Sequence, residues 1–356
     1  MIDIIPNGLA LVITHGMLDT VFAKTCHGLL RGTDRFEILA VVDYRFAGRD
    51  AGEVMDGVFR NIPVFEDLKQ ALTSTDPRPE YGIVGVATPG GYLPERIKTE
   101  IVKALEAGLS VISGLHLFLS DDAELARMAA HHGVEIIDIR KPPPRNELRF
   151  WTGEIYEVKS PKIAVLGMDC AIGKRTTCRL LTEMCRKNGL RAEMIYTGQT
   201  GWMQGYKYGF IFDTIVNDFI AGEIERVMLE CYNECTPDLI LIEGQSSLRN
   251  PAGPCGSEFI LSGNVKGVIL QHAPARKVFE DTEIPIPGVE SEIALLQAFG
   301  AEVLGITLNE SGLETEEIIE HRQRLEESLG LPVICPLSDG VEALWPVISN
   351  YTNQIF

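Results

Sequence analysis

Residues 162–177 read KIAVLGMDCAIGKRTT and join an apolar run to a glycine-rich loop. The apolar residues Ile163–Leu166 predict a buried strand, and the pattern G-x-x-x-x-G-K follows it from Gly167 to Lys174. Backbone N–H groups of such a loop converge on an anion, and the N-terminus of the next helix adds a partial positive charge. The stretch therefore predicts a P-loop that binds phosphate groups, to which Lys174 contributes a full charge.

Two residues of this loop differ from those of nucleoside triphosphatases. Arg175 occupies the position at which such enzymes place the Ser or Thr that holds Mg²⁺. Asp169 puts a carboxylate beside the expected phosphates, which is unfavourable unless a metal ion or a substrate ammonium group lies between them. Both features argue against ordinary ATP hydrolysis, and no protein metal site is predicted. The residues predicted to bind the phosphate-bearing ligand are Gly167, Asp169, Gly173, Lys174, Arg175, Thr176, Thr177 and Asn309.

Other predicted strands of the same half also end in polar residues, and the carboxyl ends of parallel strands share one edge of a sheet. Glu243 ends the run LILIE at residues 239–243, a position at which an acid often holds a metal ion or acts as a base. Asp218 lies near a predicted helix start, where an N-cap role is also common. Asn309 is a candidate for contact with an adenine edge, and Arg276 for a forked contact with a carboxylate or phosphate. The remaining polar residues at these strand ends are Gln199, Thr200, Gln245, Ser246 and His272.

Apolar runs alternate with amphipathic stretches along the whole chain, which is typical of parallel sheets covered by helices on both faces. The segment KPPPR at residues 141–145 interrupts the alternation, because three prolines are incompatible with a helix or a central strand. We therefore predict a Rossmann-like parallel-sheet domain at residues 1–145 and a P-loop NTPase-like α/β domain at residues 146–356. Strands are predicted at residues 9–13, 37–42, 81–87, 109–113, 134–139, 162–167, 192–197, 239–243, 267–271, 302–308 and 332–335. Helices are predicted at residues 94–107, 123–132, 176–188, 218–232, 291–299 and 315–329.

The first domain has the alternation of a Rossmann fold but lacks its dinucleotide motif. Asp43 ends the second predicted strand, as the ribose-binding acid of that fold does, but THGMLD at residues 14–19 replaces the glycine pattern after the first strand. The loops GVATPGG, residues 85–91, and SGLH, residues 113–116, follow two further strands. Both are expected at the ligand-binding edge of the sheet, although glycines in such places also serve turns alone.

The formal net charge of −18 limits the possible partners. A surface this acidic repels nucleic acid and anionic membranes at long range, so a bound anion must meet a local cradle of positive groups. Eight cysteines without C-x-x-C pairs argue against a disulfide framework or a zinc site. No signal-peptide pattern and no membrane-length apolar run is present. We expect a cytoplasmic protein that acts as a homo-oligomer on a small-molecule substrate.

Several of these segments together resemble one bacterial and archaeal protein family. They are Asp43 with AGRDAG at residues 47–52, the loops at 89–91 and 113–116, the P-loop, TGQTGW at 197–202 and EGQ at 243–245. The family, first known only as a domain of unknown function, pairs a Rossmann-like domain with a P-loop domain, and its members are described as D-glutamate N-acetyltransferases. The resemblance covers nearly the whole chain.

The resemblance implies transfer of an acetyl group from the co-substrate acetyl-CoA to the amine of an acidic amino acid, D-glutamate in particular. Glu243 or Asp218 would then remove a proton from the substrate ammonium, which Asp169 would steer, and Gln199 or the loop N–H groups would stabilise the oxyanion. Two arginines would clamp the substrate carboxylates. The predicted catalytic residues are Glu243, Asp218 and Lys174. The predicted substrate contacts are Gln199, Thr200, Gln245, Ser246, Arg249, His272 and Arg276.

Two other classes of protein stay open when only the residues are considered. The first is a Mg²⁺-dependent kinase or ligase that uses ATP or GTP on a small carboxylate metabolite, through Lys174, Thr176 and Glu243. The second is a nucleotide-sensing module that binds its ligand without turnover. The acetyltransferase differs from both, because it predicts thiol release from acetyl-CoA without a nucleotide.

Overall fold

The structure, a computed structural model, describes residues 6–88 and 91–354. The chain forms two compact units. The first contains the residues up to Pro142 together with Gln199–Tyr206, and the second contains Pro143–Gly198 together with the residues from Lys207 onward. Both units are built on parallel sheets with helices, which confirms the predicted fold class. The observed division differs from the predicted domains, 1–145 and 146–356, mainly because residues 199–206 return to the first unit.

The first unit contains a six-stranded sheet in the order β3-β2-β1-β4-β5-β6, and all neighbouring strands are parallel. The order reverses between β1 and β4, and ligands of open α/β sheets bind at the carboxyl edge near such a point. The strands are β1 (Gly8–Ile13), β2 (Phe36–Val42), β3 (Val64–Phe65), β4 (Tyr81–Val84), β5 (Ser110–Ser113) and β6 (Ile136–Asp138). The helices are α1 (Lys24–Leu30), α2 (Ala51–Asp56), α3 (Leu68–Ser74), α4 (Glu95–Glu106) and α5 (Ala123–His132).

Five of these six strands were predicted to within a few residues. The sequence did not reveal β3, a strand of only two residues. Asp43, which directly follows β2 where a Rossmann fold has its ribose-binding acid, is fully buried, and its Oδ2 accepts hydrogen bonds from the Thr14 hydroxyl at 2.8 Å and from Gly16 N at 2.8 Å. It therefore holds the turn after β1. Pro89 and Gly90 of the predicted glycine-rich loop lie outside the described residues.

The second unit contains a seven-stranded sheet in the order β13-β12-β11-β7-β10-β8-β9, again with parallel neighbours. Its strands are β7 (Lys162–Gly167), β8 (Ala192–Tyr196), β9 (Tyr208–Gly209), β10 (Leu239–Glu243), β11 (Gly267–His272), β12 (Glu302–Leu308) and β13 (Val333–Ile334). Its helices are α6 (Lys174–Lys187), α8 (Asn217–Cys235), α9 (Ser257–Leu261), α10 (Val289–Ala298), α11 (Thr315–Leu329) and α12 (Trp345–Gln354). All six residues of β7 are buried, and the strand lies between β10 and β11.

The remaining helix, α7 (Gln199–Met203), packs with the first unit, although it follows β8 in sequence. Arg35 Nε donates a 2.7 Å hydrogen bond to Trp202 O, and the guanidinium lies 4.3 Å from the centre of the Trp202 ring. Gln204 Nε2 donates to Gly28 O at 2.9 Å. These contacts explain why residues 199–206 belong to the first unit, although the residues on either side of them belong to the second. Within the described ranges, none of the helices has both the length and the apolar character that crossing a membrane requires.

Candidate anion-binding site

The P-loop predicted from sequence connects β7 to α6 at the centre of the second sheet. Its backbone uses the left-handed region twice, with φ of 52° at Ala171 and 105° at Gly173. A Cβ atom at Gly167 would lie 2.8 Å from Cδ of Lys174, so only glycine leaves space for the lysine stem. The short glycine-rich turn thus lets the loop fold back over the end of its own strand.

The loop presents unused backbone donors. The amides of Cys170, Ala171, Ile172 and Gly173 donate no hydrogen bond to any other residue in the part of the chain that the structure describes. The first amides of α6 are also without partners inside the helix, as at every helix N-terminus. Converging free N–H groups at a helix N-terminus bind phosphate or carboxylate oxygens. The unused amides therefore lie where the sequence predicts a phosphate-binding loop.

Lys174 is buried beneath this cradle. Its Nζ donates to Asp169 O at 2.6 Å and to Ser246 O at 2.7 Å, and the residue is only 6% exposed. Burial lowers the pKa of the ammonium, while the charges of nearby acids, including Asp169 and Glu243, oppose that shift. The lysine is therefore held by carbonyl oxygens rather than by a surface ion pair.

Asp169 is paired inside the protein, in contrast to its predicted role toward a substrate ammonium group. Its Oδ2 lies 2.9 Å from Arg276 Nη1 and accepts from Glu280 N at 2.8 Å, while Oδ1 accepts from Asn250 Nδ2 at 2.9 Å. A carboxylate that is 1% exposed needs such partners, because burying an unpaired charge is costly. Arg276, predicted as a substrate clamp, also donates to Cys170 O at 2.7 Å and so fixes the loop.

Glu243 ends β10, the strand next to β7, and is 5% exposed. Its Oε2 accepts from Thr197 N at 3.0 Å, and the Thr197 hydroxyl donates to Glu243 O at 2.7 Å. Gln245 Nε2 donates to the same hydroxyl at 2.9 Å. Burial raises the pKa of the Glu243 carboxyl, although the charges of Arg175 and Lys174 and hydrogen bonds from two backbone amides lower it in part. The acid thus lies within electrostatic range of the P-loop.

Several predicted ligand contacts serve the loop itself. Thr177 Oγ1 donates to Gln271 Oε1 at 2.6 Å, so its hydroxyl has a protein partner, and Thr176 beside it is only partly buried. Asn309, predicted to contact an adenine edge, donates to Ile172 O at 3.0 Å. Ser246 Oγ lies 3.0 Å from Cys170 Sγ. Residues at three strand ends therefore contact the P-loop or the first turn of α6.

His272 ends β11, the other neighbour of β7. Burial, followed by the positive charges of His321, Arg324 and Lys277, lowers its pKa to about 4. The imidazole is therefore neutral near pH 7.

For four further predicted residues, the structure shows contacts with other parts of the chain or exposure to solvent. Arg249 lies against α10, with Nε 3.2 Å from Glu292 Oε2 and Nη1 2.8 Å from Ser291 Oγ. Asp218 is exposed in the first turn of α8. Gln199 and Thr200 belong to the first unit. There Gln199 Oε1 accepts from Arg140 Nη2 at 2.8 Å, and the Thr200 hydroxyl lies 3.5 Å from that of Thr25.

Sequence reasoning missed two residues that hold the loop, Asn250 and Gln271. Gln271 accepts from the hydroxyls of both Thr177 and Thr307, at 2.6 and 2.7 Å. The sequence could have indicated Gln271, because it lies in a predicted buried strand directly before His272, and a buried polar residue needs polar partners. Asn250 follows an irregular segment, and nothing in its spacing indicates that it reaches Asp169.

Comparison with known proteins agrees with this architecture. Residues 149–345 match the family described as domain of unknown function DUF1611_C, P-loop domain, and residues 44–142 match DUF1611_N, Rossmann-like domain. A crystal structure of a DUF1611 family protein from Anabaena variabilis is similar over 98% of this chain and 100% of its own, with a TM-score of 0.87 and 27% sequence identity.

Two curated proteins are similar over 74% of this chain and 79% of their own length. One, from a Pseudoalteromonas species, is 30% identical, and the other, from Tritonibacter scottomollicae, is 29% identical; both bear the name D-glutamate N-acetyltransferase. The family matches and the shared two-sheet fold, with a P-loop in the second sheet, lead to one conclusion: this chain belongs to the DUF1611 family.

Proposed function

We propose that the protein is an N-acetyltransferase that moves the acetyl group of acetyl-CoA to the amine of an acidic amino acid, with D-glutamate as the first candidate. The names of the two curated relatives support this reaction class. The observation that carries the proposal is the set of free amides at residues 170–173 above Lys174, next to the buried acid Glu243.

In this proposal the cradle binds phosphate groups of coenzyme A without cleaving them. Phosphoryl transfer needs a hydroxyl that holds Mg²⁺, whereas binding alone needs only N–H donors and a cation. Arg175 stands at the position of that hydroxyl, and the Thr177 hydroxyl is bonded to Gln271. Both facts favour a phosphate that is bound but not transferred.

Glu243 is the proposed general base. It takes a proton from the substrate ammonium, the freed amine attacks the thioester carbonyl, and the C–S bond breaks so that coenzyme A leaves as a thiol carrying one proton. A carboxyl group with a raised pKa is a better base near neutral pH than an ordinary one. Loop amides that are not engaged with the coenzyme are available to donate to the developing oxyanion.

The test is an assay of thiol release from acetyl-CoA with D-glutamate, L-glutamate and D-aspartate as acceptors, in the absence of nucleotide. We expect release to require an acidic amino acid and to fall strongly in Lys174→Ala. Lys187→Ala is a matched control, because it removes an exposed lysine from the other end of α6. No release with any acceptor, or equal release in the Lys174→Ala variant, would contradict the proposal.

A Mg²⁺-dependent kinase or ligase is the second candidate. The adjacency of β7 and β10 favours it, since it places Glu243 beside the P-loop, where phosphoryl-transfer enzymes keep a metal-binding acid. The same protein, with ATP or GTP and Mg²⁺ in place of acetyl-CoA, should then form nucleoside diphosphate when a small carboxylate is present. That outcome without thiol release would replace the acetyltransferase by this class.

A further inference from the structure

The first unit has an open cavity of about 360 Å³ that the reaction proposed above does not use. Small-molecule sites commonly have volumes of roughly 300–1,000 Å³, so the cavity is large enough for a small metabolite. Its lining includes His15, Tyr44, Glu66, Arg96, Glu100 and Lys103.

These side chains converge from three strand ends and one helix. His15, Tyr44 and Glu66 follow the carboxyl ends of β1, β2 and β3. Arg96, Glu100 and Lys103 belong to α4 at spacings of four and three residues, which places them along one face of the helix. The cavity therefore lies at the edge where open parallel sheets bind ligands.

Two of the charged residues already have protein partners. Glu100 is 2% exposed, and its Oε2 accepts from Leu68 N at 2.9 Å. Its Oε1 accepts from Lys103 Nζ at 2.7 Å, and this hydrogen bond raises the pKa of the lysine. This pair ties α4 to α3 and forms a fixed wall of the cavity.

Arg96 and Glu66 differ, because their charged groups face solvent. The Arg96 guanidinium lies 5.2 Å from the centre of the Tyr44 ring, and it forms no ion pair with any residue that the structure describes. The Glu66 carboxylate accepts no hydrogen bond within the same ranges, although its backbone N donates to Gln70 Oε1 at 2.9 Å. A positive and a negative group are thus both available at one cavity.

The His15 ring adds a polar group to the lining of the cavity. Its centre lies 5.2 Å from that of Tyr44, and its buried Nδ1 has no hydrogen-bond partner among the described residues. The unpartnered Nδ1 is therefore a polar atom at this cavity that a ligand can satisfy.

We propose that this cavity binds a small zwitterion of the amino-acid class, with its carboxylate on Arg96 and its ammonium group on Glu66. The planar guanidinium forks onto a carboxylate, and the carboxylate of Glu66 accepts from an ammonium. A simple anion would meet the carboxylates of Glu66 and Asp67, and a simple cation would meet Arg96. A ligand with both charges matches both.

The test is isothermal titration of the full chain with glycine, L-glutamate and D-glutamate, and with inorganic phosphate and AMP as other ligand classes. We expect at least one amino acid to bind the wild-type protein. Its affinity should be at least tenfold lower in Arg96→Ala, and it should also be lower in Glu66→Gln. Arg127→Ala is the control, since it removes an exposed arginine from α5 in the same unit. Arg96 is itself exposed, so its variant should melt at the wild-type temperature.

Three outcomes would overturn the proposal: no amino acid binds, binding is unchanged in Arg96→Ala, or phosphate or AMP binds through Arg96 while amino acids do not. The Lys174→Ala variant separates this site from the acetyltransferase reaction. This variant should still bind the amino acid through Arg96 although it no longer releases thiol from acetyl-CoA. Likewise, a failed acetyl-transfer assay would leave the titration result standing.

Discussion

The carboxylate of Asp169, a residue of the P-loop, and the guanidinium of Arg276 lie 2.9 Å apart. Arg276 Nη1 also donates a hydrogen bond to the Cys170 carbonyl, and the Asp169 carboxylate accepts one from Glu280 N. One ion pair therefore joins the P-loop to residues 276–280, which follow β11. Its acidic half is almost fully buried and its basic half is 29% exposed, so the pair is shielded only in part from solvent.

Replacing Arg276 by Met should destabilise the protein by about 2–4 kcal/mol, because a buried carboxylate then loses its charged partner. Urea unfolding of the wild type, Arg276→Met, Asp169→Asn and the double variant measures the coupling, which we expect to be on the order of 1–3 kcal/mol. Arg191→Met, which breaks an exposed pair with Asp238, should cost less than about 1 kcal/mol. Equal effects for the two arginines would contradict this assignment.

Replacing Lys174 by Met should lower the melting temperature by several degrees, since the carbonyls of Asp169 and Ser246 lose their donor, although removal of a buried ammonium offsets part of that cost. The upward shift of the melting temperature that coenzyme A produces should disappear, because that shift requires binding to the native state. Differential scanning fluorimetry with and without coenzyme A measures both effects. Retention of the full ligand shift in Lys174→Met would show that the phosphate binds elsewhere.

Replacing Glu243 by Gln should lower kcat by roughly 10²–10⁴-fold if the carboxylate is the general base. The amide keeps an oxygen for the Thr197 N–H, so the fold should persist. The raised pKa also gives a stability signature. The native state binds the Glu243 proton more tightly than the unfolded chain does. The contribution of this group to stability is therefore fully present below pH 4.5, the usual pKa of a glutamate, and it is lost as the pH rises above that value. Stability curves against pH for wild type and variant should differ in that direction.

Replacing His272 by Asn should reduce acid sensitivity. The pKa of His272 is about 4 in the folded protein, below the usual 6.5 of a histidine. Between pH 6.5 and pH 4 the unfolded state therefore binds more protons, and wild-type stability is lost as the pH falls through that range. The contribution is on the order of 3 kcal/mol at most. Urea unfolding at pH 7 and pH 4.5 should show a smaller difference for His272→Asn than for wild type. His132→Asn, at an exposed position in α5, should behave as wild type.

The sequence was sufficient for most of the fold because its strands are continuous apolar runs. Strands such as Lys162–Gly167 and Glu302–Leu308 were predicted at their observed bounds. The two-residue strands β3 and β9 were missed, whereas β13, which is equally short, lies within the predicted strand at residues 332–335. The location of the P-loop was also predictable, since the spacing G-x-x-x-x-G-K falls between an apolar strand and a helix.

The roles of individual polar residues were harder to predict, because local spacing does not show which partner a side chain finds. A role toward the substrate was assigned to Arg276 from its place after a strand, to Asp169 from its place in the P-loop, and to Arg249 from the family resemblance. In the structure each is paired with a residue of the protein that is distant in sequence. Such pairings depend on tertiary contacts over 40 to more than 100 positions, which a strand or helix pattern does not encode.

The return of residues 199–206 to the first unit bears on how the protein is made. Arg35 and Gly28 find their partners, Trp202 and Gln204, only after more than 160 further residues have been added to the chain. During synthesis, the first unit therefore remains unfinished while the P-loop segment emerges from the ribosome. A protein fragment that stops at residue 142 should expose the surface that α7 covers, and it should be prone to aggregation until the missing helix is supplied.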